Sequence, residues 1–326
     1  MADYNEYTLP GWTKKVRPAS KAIFMMELDR RGVTYELNGP RVEFVSRRGK
    51  RAWFAYSTTS LNKRSANQIC QNKMRTKEYL RNAGTHTPPG MTFSRQDQQK
   101  ALHFAQTLGY PVVVKPVDGV AGRHVFSDIN SEDSFAAAWG QQPEEQTILV
   151  EKHVEGDDYR AYALDGRIVA IARRDPPSVL ADGHSTIAEL IAALNKQRRA
   201  SGNPIHTQVK IEGVVSDYLK RQGLSSDRVC EEGMRLLLRP NANISTGGAV
   251  CDVTDDAPEP VVEAASKAAT AVPGLRVVGL DILYTEGKPA HVLEMNHNPM
   301  LSIHHFPWVG QPRDVARDLV EAMLAH

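Results

Sequence analysis

Three cysteines in 326 residues, Cys70, Cys230 and Cys251, lie far apart. That spacing excludes a disulfide framework and a zinc knuckle and fits a reducing cytoplasm. Charge of one sign is also missing. Forty Lys and Arg against 38 Asp and Glu leave a formal charge of +2, which gives no general reason to expect nucleic acid or an acidic membrane as partner. No apolar run approaches the length that spans a bilayer. The opening MADYNEYTLPGW has neither a basic nor an apolar signal segment. Internal repeats and low-complexity tracts are absent.

What remains is ordinary globular material, 41% hydrophobic and 24% charged, long enough for two or three cored domains. One basic run, SRRGKR at 46–51, sits between EFV and AWFAY and reads as a solvated hairpin turn. Helical spacing covers 17–31, 62–83, 95–108, 131–139 (with Ser131 as N-cap), 185–199, 216–221, 258–272 and 312–325. Thr186 and Glu189 have the spacing of a capping box. Strands are expected near 33–37, 41–46, 51–57, 110–119, 125–129 and 147–156, with a hairpin at Asp165-Gly166. The Pro-rich THTPPGMTF reads as a connection. These marks divide the chain into 1–88, 89–150 and 151–326.

The stretch HVLEMNHNPML, 291–301, is chemically the most telling. An apolar strand ends in Glu294 and Asn296, which share a face because strand side chains alternate. Upstream, RVVGLDILYT is an apolar strand with one acid, Asp281. If Gly287-Lys288 is a two-residue loop, Asp281 falls opposite Glu294. Two carboxylates and an amide oxygen on one hairpin face are hard ligands suited to Mg2+. The alternative is a sheet edge with solvated acids. A zinc reading of His291, Glu294 and His297 suffers because His291 and Glu294 would face opposite ways on a strand, and the helical H-E-x-x-H spacing is absent. His304 and His305 read as ordinary polar residues or substrate contacts.

Further groups follow a fixed order along the chain. VVVKP places Lys115 at the end of a buried strand, where a lysine needs an anion. DGVAGRH supplies a glycine loop suited to phosphate. ILVEKHVEG ends a strand in a polar hinge able to offer backbone groups to a purine. LLLRPNANISTGG puts Arg239 before a polar loop suited to an oxyanion.

In that order, the chain resembles the ATP-grasp superfamily, and most nearly the ATP-grasp domains of bifunctional glutathione synthetases and cyanophycin synthetases. The resemblance rests on NKMRTKEYL, VVVKPVDGVAGRHV, VEKHVEGDDYR, DGHSTIAELI, LRPNANISTGG, VVGLDILY and EMNHNPML, between about 72 and 310. The fold it implies is α/β (α+β), with two α+β subdomains gripping ATP behind a small N-terminal α/β domain. On the division above, 1–88 is that N-terminal domain, 89–150 the lid subdomain and 151–326 the catalytic subdomain.

The resemblance also implies roles. Lys73 and Lys115 contact ATP phosphates, and the loop with Gly119, Gly122 and Arg123 closes over them. Glu151 and the backbone of Lys152 and Val154 read adenine, and Asp158 holds the ribose. Asp281, Glu294 and Asn296 hold two Mg2+ ions, for which Mn2+ substitutes. Arg239 and Lys115 are catalytic. Arg160, one of Arg173 and Arg174, Ser245 and Gly247 meet substrate.

The activity implied is ADP-forming ligation of an amino-acid or peptide carboxylate to an amine through an acyl phosphate, in the cytoplasm. Partners would be small molecules, not nucleic acid or membrane, and a homodimer is compatible with this. An ATP-binding regulatory or assembly protein is the alternative. One departure is His124, where related loops place a glycine.

Overall fold

The computed structural model describes residues 18–118 and 124–326. Gly119, Gly122 and Arg123 lie outside the described residues. Helices in chain order are α1 Ala19–Arg30, α2 Arg64–Gln71, α3 Lys73–Asn82, α4 Gln98–Leu108, α5 Glu132–Gly140, α6 Ile187–Ser201, α7 Val214–Arg221, α8 Glu259–Ala269, α9 Ser302–His305 and α10 Val315–Ala325. Strands are β1 Tyr35–Asn38, β2 Arg41–Val45, β3 Arg51–Ala55, β4 Thr58–Thr59, β5 Gly90–Phe93, β6 Val112–Pro116, β7 Phe126–Ile129, β8 Ile148–Lys152, β9 Asp157–Leu164, β10 Arg167–Asp175, β11 Ser178–Leu180, β12 Arg235–Leu237, β13 Ala249–Asp252, β14 Val277–Tyr284 and β15 His291–Asn296. The class is α+β, and the strand pairings described below are antiparallel.

The chain clusters into two compact units. The first takes residues 18–57, 170–256 and 300–326. In it, β1, β2 and β3 form a meander whose β2–β3 turn is SRRGKR, with Gly49 at φ 75°. Phe24 of α1 stacks on Phe54 of β3 at 4.3 Å. A separate apolar cluster joins α6, α7 and the β11–β12 pair through Ile187, Ile191, Val215, Leu219 and Leu236. The capping box at Thr186 and Glu189 forms as the sequence predicts. His304 and His305 are core residues, 3% and 0% exposed. His305 Nε2 accepts from Ala316 N at 3.1 Å, and burial pushes its pKa down to about 4. Of the two readings the sequence offered, ordinary polar residue or substrate contact, their burial favours a structural place in the core.

The second unit takes the described residues of 58–169 and 257–299. The expected boundaries near 88 and 150 both fall within it. Its segment from β5 to β8 builds its own sheet, ordered β5-β8-β6-β7, under α4 and α5. Val112, Val114, Phe135, Trp139, Ile148 and Val150 are its core. A second sheet in this unit has β14 between β9 and β15.

Two expectations need correction here. Residues 62–83 are not one helix. Asn72 takes extended backbone (φ −105°, ψ 104°) and its side chain accepts from Arg75 N, so it caps α3 and breaks the run. The Pro-rich connection also contains a strand, β5, paired with β8. Gly90 looks like a loop residue, but a Cβ there would lie 2.7 Å from Glu151 Cβ and 2.9 Å from the Val150 carbonyl oxygen. The strand needs a glycine because its neighbour comes so close.

Candidate active site

The acids come first. β14 is apolar except for Asp281; its residues 277–282 are buried, Asp281 included at 7% exposure, and Leu283 and Tyr284 are half-buried. Asp281 pairs with Glu294 and Gly279 with Asn296, the register the sequence predicted at this end of the hairpin. The loop end differs. Ile282 pairs with Val292, leaving Leu293 as an extra residue, and the strands stop at Tyr284 and His291 rather than at a two-residue loop. A bulge of this kind re-aims side chains without losing the register beyond it.

Arg160, opposite Asp281 on β9, clasps that carboxylate through Nε at 2.6 Å and Nη2 at 3.1 Å. Gly279 makes room for it, since a Cβ there would stand 2.8 Å from Arg160 Nη1. Asn296 Nδ2 donates to Asp281 Oδ2 at 3.3 Å and to Glu294 Oε1 at 3.2 Å.

Burial and the charge of Asp281 hold the Glu294 carboxyl above its ordinary value, against the pull of Arg160 and Lys73. Two adjacent carboxylates share too little positive charge to ionise together freely. That deficit suits a divalent cation, and Asn296 carries a carbonyl oxygen beside its NH2 group. The donor set therefore fits Mg2+. The histidines of the zinc reading are placed otherwise. His291 Nδ1 lies 3.0 Å from the Pro289 carbonyl oxygen, and His297 Nε2 lies 3.4 Å from Gln71 Nε2.

The lysines are in the same unit. Lys73 opens α3 and its Nζ donates to the Val117 carbonyl at 2.7 Å. Burial lowers its pKa, while Glu294 opposes that shift. Lys115 pairs with Glu151. The opposite oxygen of Glu151 lies 2.8 Å from Lys77 Nζ, which also donates to Thr87 Oγ1 at 3.1 Å and Pro88 O at 2.8 Å. Burial alone would raise the Glu151 pKa, but Lys115 and Lys77 hold it below the ordinary value. Lys77 was missed in the sequence. Its one signal is its position four residues after Lys73, one helical turn along NKMRTKEYL.

The hinge follows β8. Lys152 Nζ donates to the carbonyls of Gly109 (2.8 Å) and Tyr110 (3.0 Å), and His153 N to Pro111 O at 3.1 Å. The backbone is thus fixed beside a cavity of about 350 Å3 lined by Pro111, Val154, Pro289 and His291 among others. Gly156, at φ 148°, passes so close to Tyr284 that a Cβ would lie 2.6 Å from its carbonyl oxygen. Asp158 follows on β9, opposite Leu283. His124 takes φ 54°, a left-handed conformation in which glycine is favoured. It is tethered by Gln142 Nε2, which donates to its carbonyl at 3.0 Å.

In the first unit, Arg239 follows β12 and lines a cavity of about 820 Å3 with Ser245 and Thr246. Its buried Nε has no hydrogen-bond partner among the described residues. Gly247 sits at φ 101°, and a Cβ there would meet Val209 Cγ2 at 2.7 Å. Arg174 lies on β10 opposite Val250, and Arg173 clasps Asp175 at 2.8 and 3.1 Å. Burial pushes the Cys70 thiol up to about 12. Burial, with Asp175, pushes Cys251 up to about 11. Neither is an activated nucleophile.

Known proteins resemble this chain. Residues 72–162 match the family described as the carbamoyl-phosphate synthase L chain, ATP binding domain. The chain is 33% identical over 267 residues to a cyanophycin synthetase of Crocosphaera subtropica, covering 78% of this chain and 30% of that protein. It is 31% identical over 309 residues to the glutathione biosynthesis bifunctional protein GshAB of Desulfotalea psychrophila, covering 90% and 39%. The crystal structure of a bifunctional glutathione synthetase from Pasteurella multocida superposes with a TM-score of 0.68 at 24% identity, over 94% of this chain and 43% of that one. The chain belongs to the ATP-grasp superfamily. It spans about a third of the length of the curated relatives it matches.

Proposed function

We propose that the chain is an ATP- and Mg2+-dependent ligase that joins an amino-acid or peptide carboxylate to an amine, releasing ADP and phosphate. The observation that carries this reading is the Asp281–Glu294 pair with Asn296. Those three would hold the metal. When bound, Mg2+ would offset negative charge on the phosphates and on the transferring phosphoryl group.

The chain's own residues supply the rest. Lys73 and Lys115 bind the phosphates, and Gly119, Gly122 and Arg123 are proposed as further contacts to them. Glu151 and the 152–154 backbone orient the base and Asp158 the ribose. Arg239 stabilises the charge of the acyl phosphate formed on the substrate carboxyl, which an amine then attacks. Arg160, through a guanidinium that Asp281 already orients, is one proposed substrate contact. Arg174, Ser245 and Gly247 are others. The segment 89–150, with its own sheet and core, would be the lid subdomain.

The test is nucleotide release against pools of amino acids and dipeptides, each with and without an amine. ADP and phosphate should appear, and label should pass from an ¹⁸O-carboxylate substrate into the phosphate. AMP and pyrophosphate, or unlabelled phosphate, would exclude the mechanism.

A further inference from the structure

The acidic end of the β14–β15 hairpin is closed by a side chain from far away in the sequence. β15 ends at Asn296, opposite Gly279. β14 begins earlier, at Val277, so its first position has no β15 residue beside it. β9 covers the other side there, with Leu164 opposite Val277. Asn62, 8% exposed, fills the open position. Its Oδ1 accepts from Arg276 N and from Val277 N, both at 2.8 Å. Its Nδ2 donates to the Val277 carbonyl at 2.8 Å and to the His297 carbonyl at 3.2 Å.

These bonds act in two directions. Toward Val277 the amide offers the donor and acceptor that a neighbouring strand would, so β14 stays paired past the end of β15. Toward His297 it holds the residue directly after Asn296, at the point where the chain leaves the sheet. The departing chain then folds back over β14, since a Cβ on Gly279 would lie 2.8 Å from Pro299 Cβ. Asn296 is thus fixed by its pairing with Gly279 and by the bond its neighbour makes to Asn62. Any displacement of Asn296 reaches both acids, because its Nδ2 spans Asp281 and Glu294.

Asn62 is itself held firmly. Lys63 N donates to the Gly274 carbonyl at 2.9 Å, and Leu61 N to Thr59 Oγ1 at 3.2 Å. Two bonds accepted and two donated use the full capacity of a primary amide. Aspartate has the same shape but lacks the donors.

We infer that Asn62 is a positioning residue for the Glu294 and Asn296 donors: it sets where β15 ends, and so where those groups stand relative to Asp281. The inference rests on the metal reading above for what the donors hold. Asn62 itself acts only through the backbone. Groups that orient metal donors in this way typically change affinity by about 10–100-fold when they are removed.

The experiment is titration with Mn2+ alone, the free ion being followed by electron paramagnetic resonance. Wild type is compared with Asn62→Ala, Asn62→Asp, Glu294→Gln and Phe135→Leu. The last alters the core of the segment from β5 to β8 and controls for general loss of stability, read as the melting temperature in chelator. Both Asn62 variants should bind Mn2+ at least about tenfold more weakly than wild type, and Phe135→Leu within about twofold of it. A loss below about twofold in both Asn62 variants would overturn the inference. So would an equal loss in Phe135→Leu, which would make general loosening the cause. Failure of both Asn62 variants to fold would do the same, by assigning the amide to stability alone. The two readings stay distinguishable. Binding lost in Glu294→Gln but kept in the Asn62 variants refutes this inference alone. A wild type that binds no Mn2+, or a Glu294→Gln variant that binds as wild type does, refutes the metal reading and this inference with it.

Discussion

Lys77 Nζ lies 2.8 Å from Glu151 Oε2, with the two side chains only 1% and 4% exposed. The same carboxylate holds Lys115, so one buried acid fixes a lysine at its back and orients the lysine proposed for phosphate at its front. Removing one partner of a buried pair is far more damaging than never having had it. Lys77→Met should therefore lower stability by at least about 2 kcal/mol, because it also strands Thr87 Oγ1 and the Pro88 carbonyl. Urea unfolding measures this, and a midpoint indistinguishable from wild type would show that the triad is not what holds β8.

The pH dependence has a definite sign. Glu151 is held below its unfolded value of about 4.5. Its contribution is therefore present above pH 4.5 and is lost as pH falls through the lower folded value. Glu151→Gln should be clearly less stable than wild type at pH 7. The gap should close as the pH drops below about 4.5. Unfolding followed by circular dichroism at a series of pH values tests it, and a gap independent of pH would refute the assignment.

The acids should behave in the opposite sense without metal. Glu294→Gln removes one of two crowded carboxylates, so the metal-free variant should melt at least about 2 °C higher, as roughly 1 kcal/mol would produce in a chain of this size. Added Mg2+ and ATP should then stabilise wild type but not the variant. Glu294→Gln and Asp281→Asn should each lower kcat at least about a hundredfold. Near-normal turnover in both at saturating Mg2+ would remove the metal assignment.

Lys115 and Arg239 should fail differently. Lys115→Ala should raise the KM for ATP and lower kcat, because it meets the phosphates in the ground state. Arg239→Ala should lower kcat with little effect on ATP affinity, because its charge matters when negative charge develops. Titration of ATP into each variant separates the two roles, and equal loss of nucleotide binding would contradict them.

Local chemistry was legible in the sequence wherever one element sufficed to express it. The capping box at Thr186, the N-cap at Ser131 and the alternation that puts Glu294 and Asn296 on one face need only neighbours a few residues away. The order of lysine, glycine loop, hinge, arginine and acid hairpin carried the resemblance, because each of those groups can be read from its own short segment.

Other features depended on partners distant in the chain. Gly90 became a strand residue because β8 passes too close for a side chain. The bulge at Leu293 followed from where β14 and β15 end. Most of all, the role of Lys77 and the four bonds of the Asn62 amide depended on burial. A lysine or an asparagine reads the same in sequence whether water or the packed chain meets it. The sequence by itself determined which chemical groups the chain carries and the local elements that bear them. Only the tertiary structure decided which charges are desolvated and which donors lack a partner, because desolvation is a property of the surrounding packed chain and not of any residue alone.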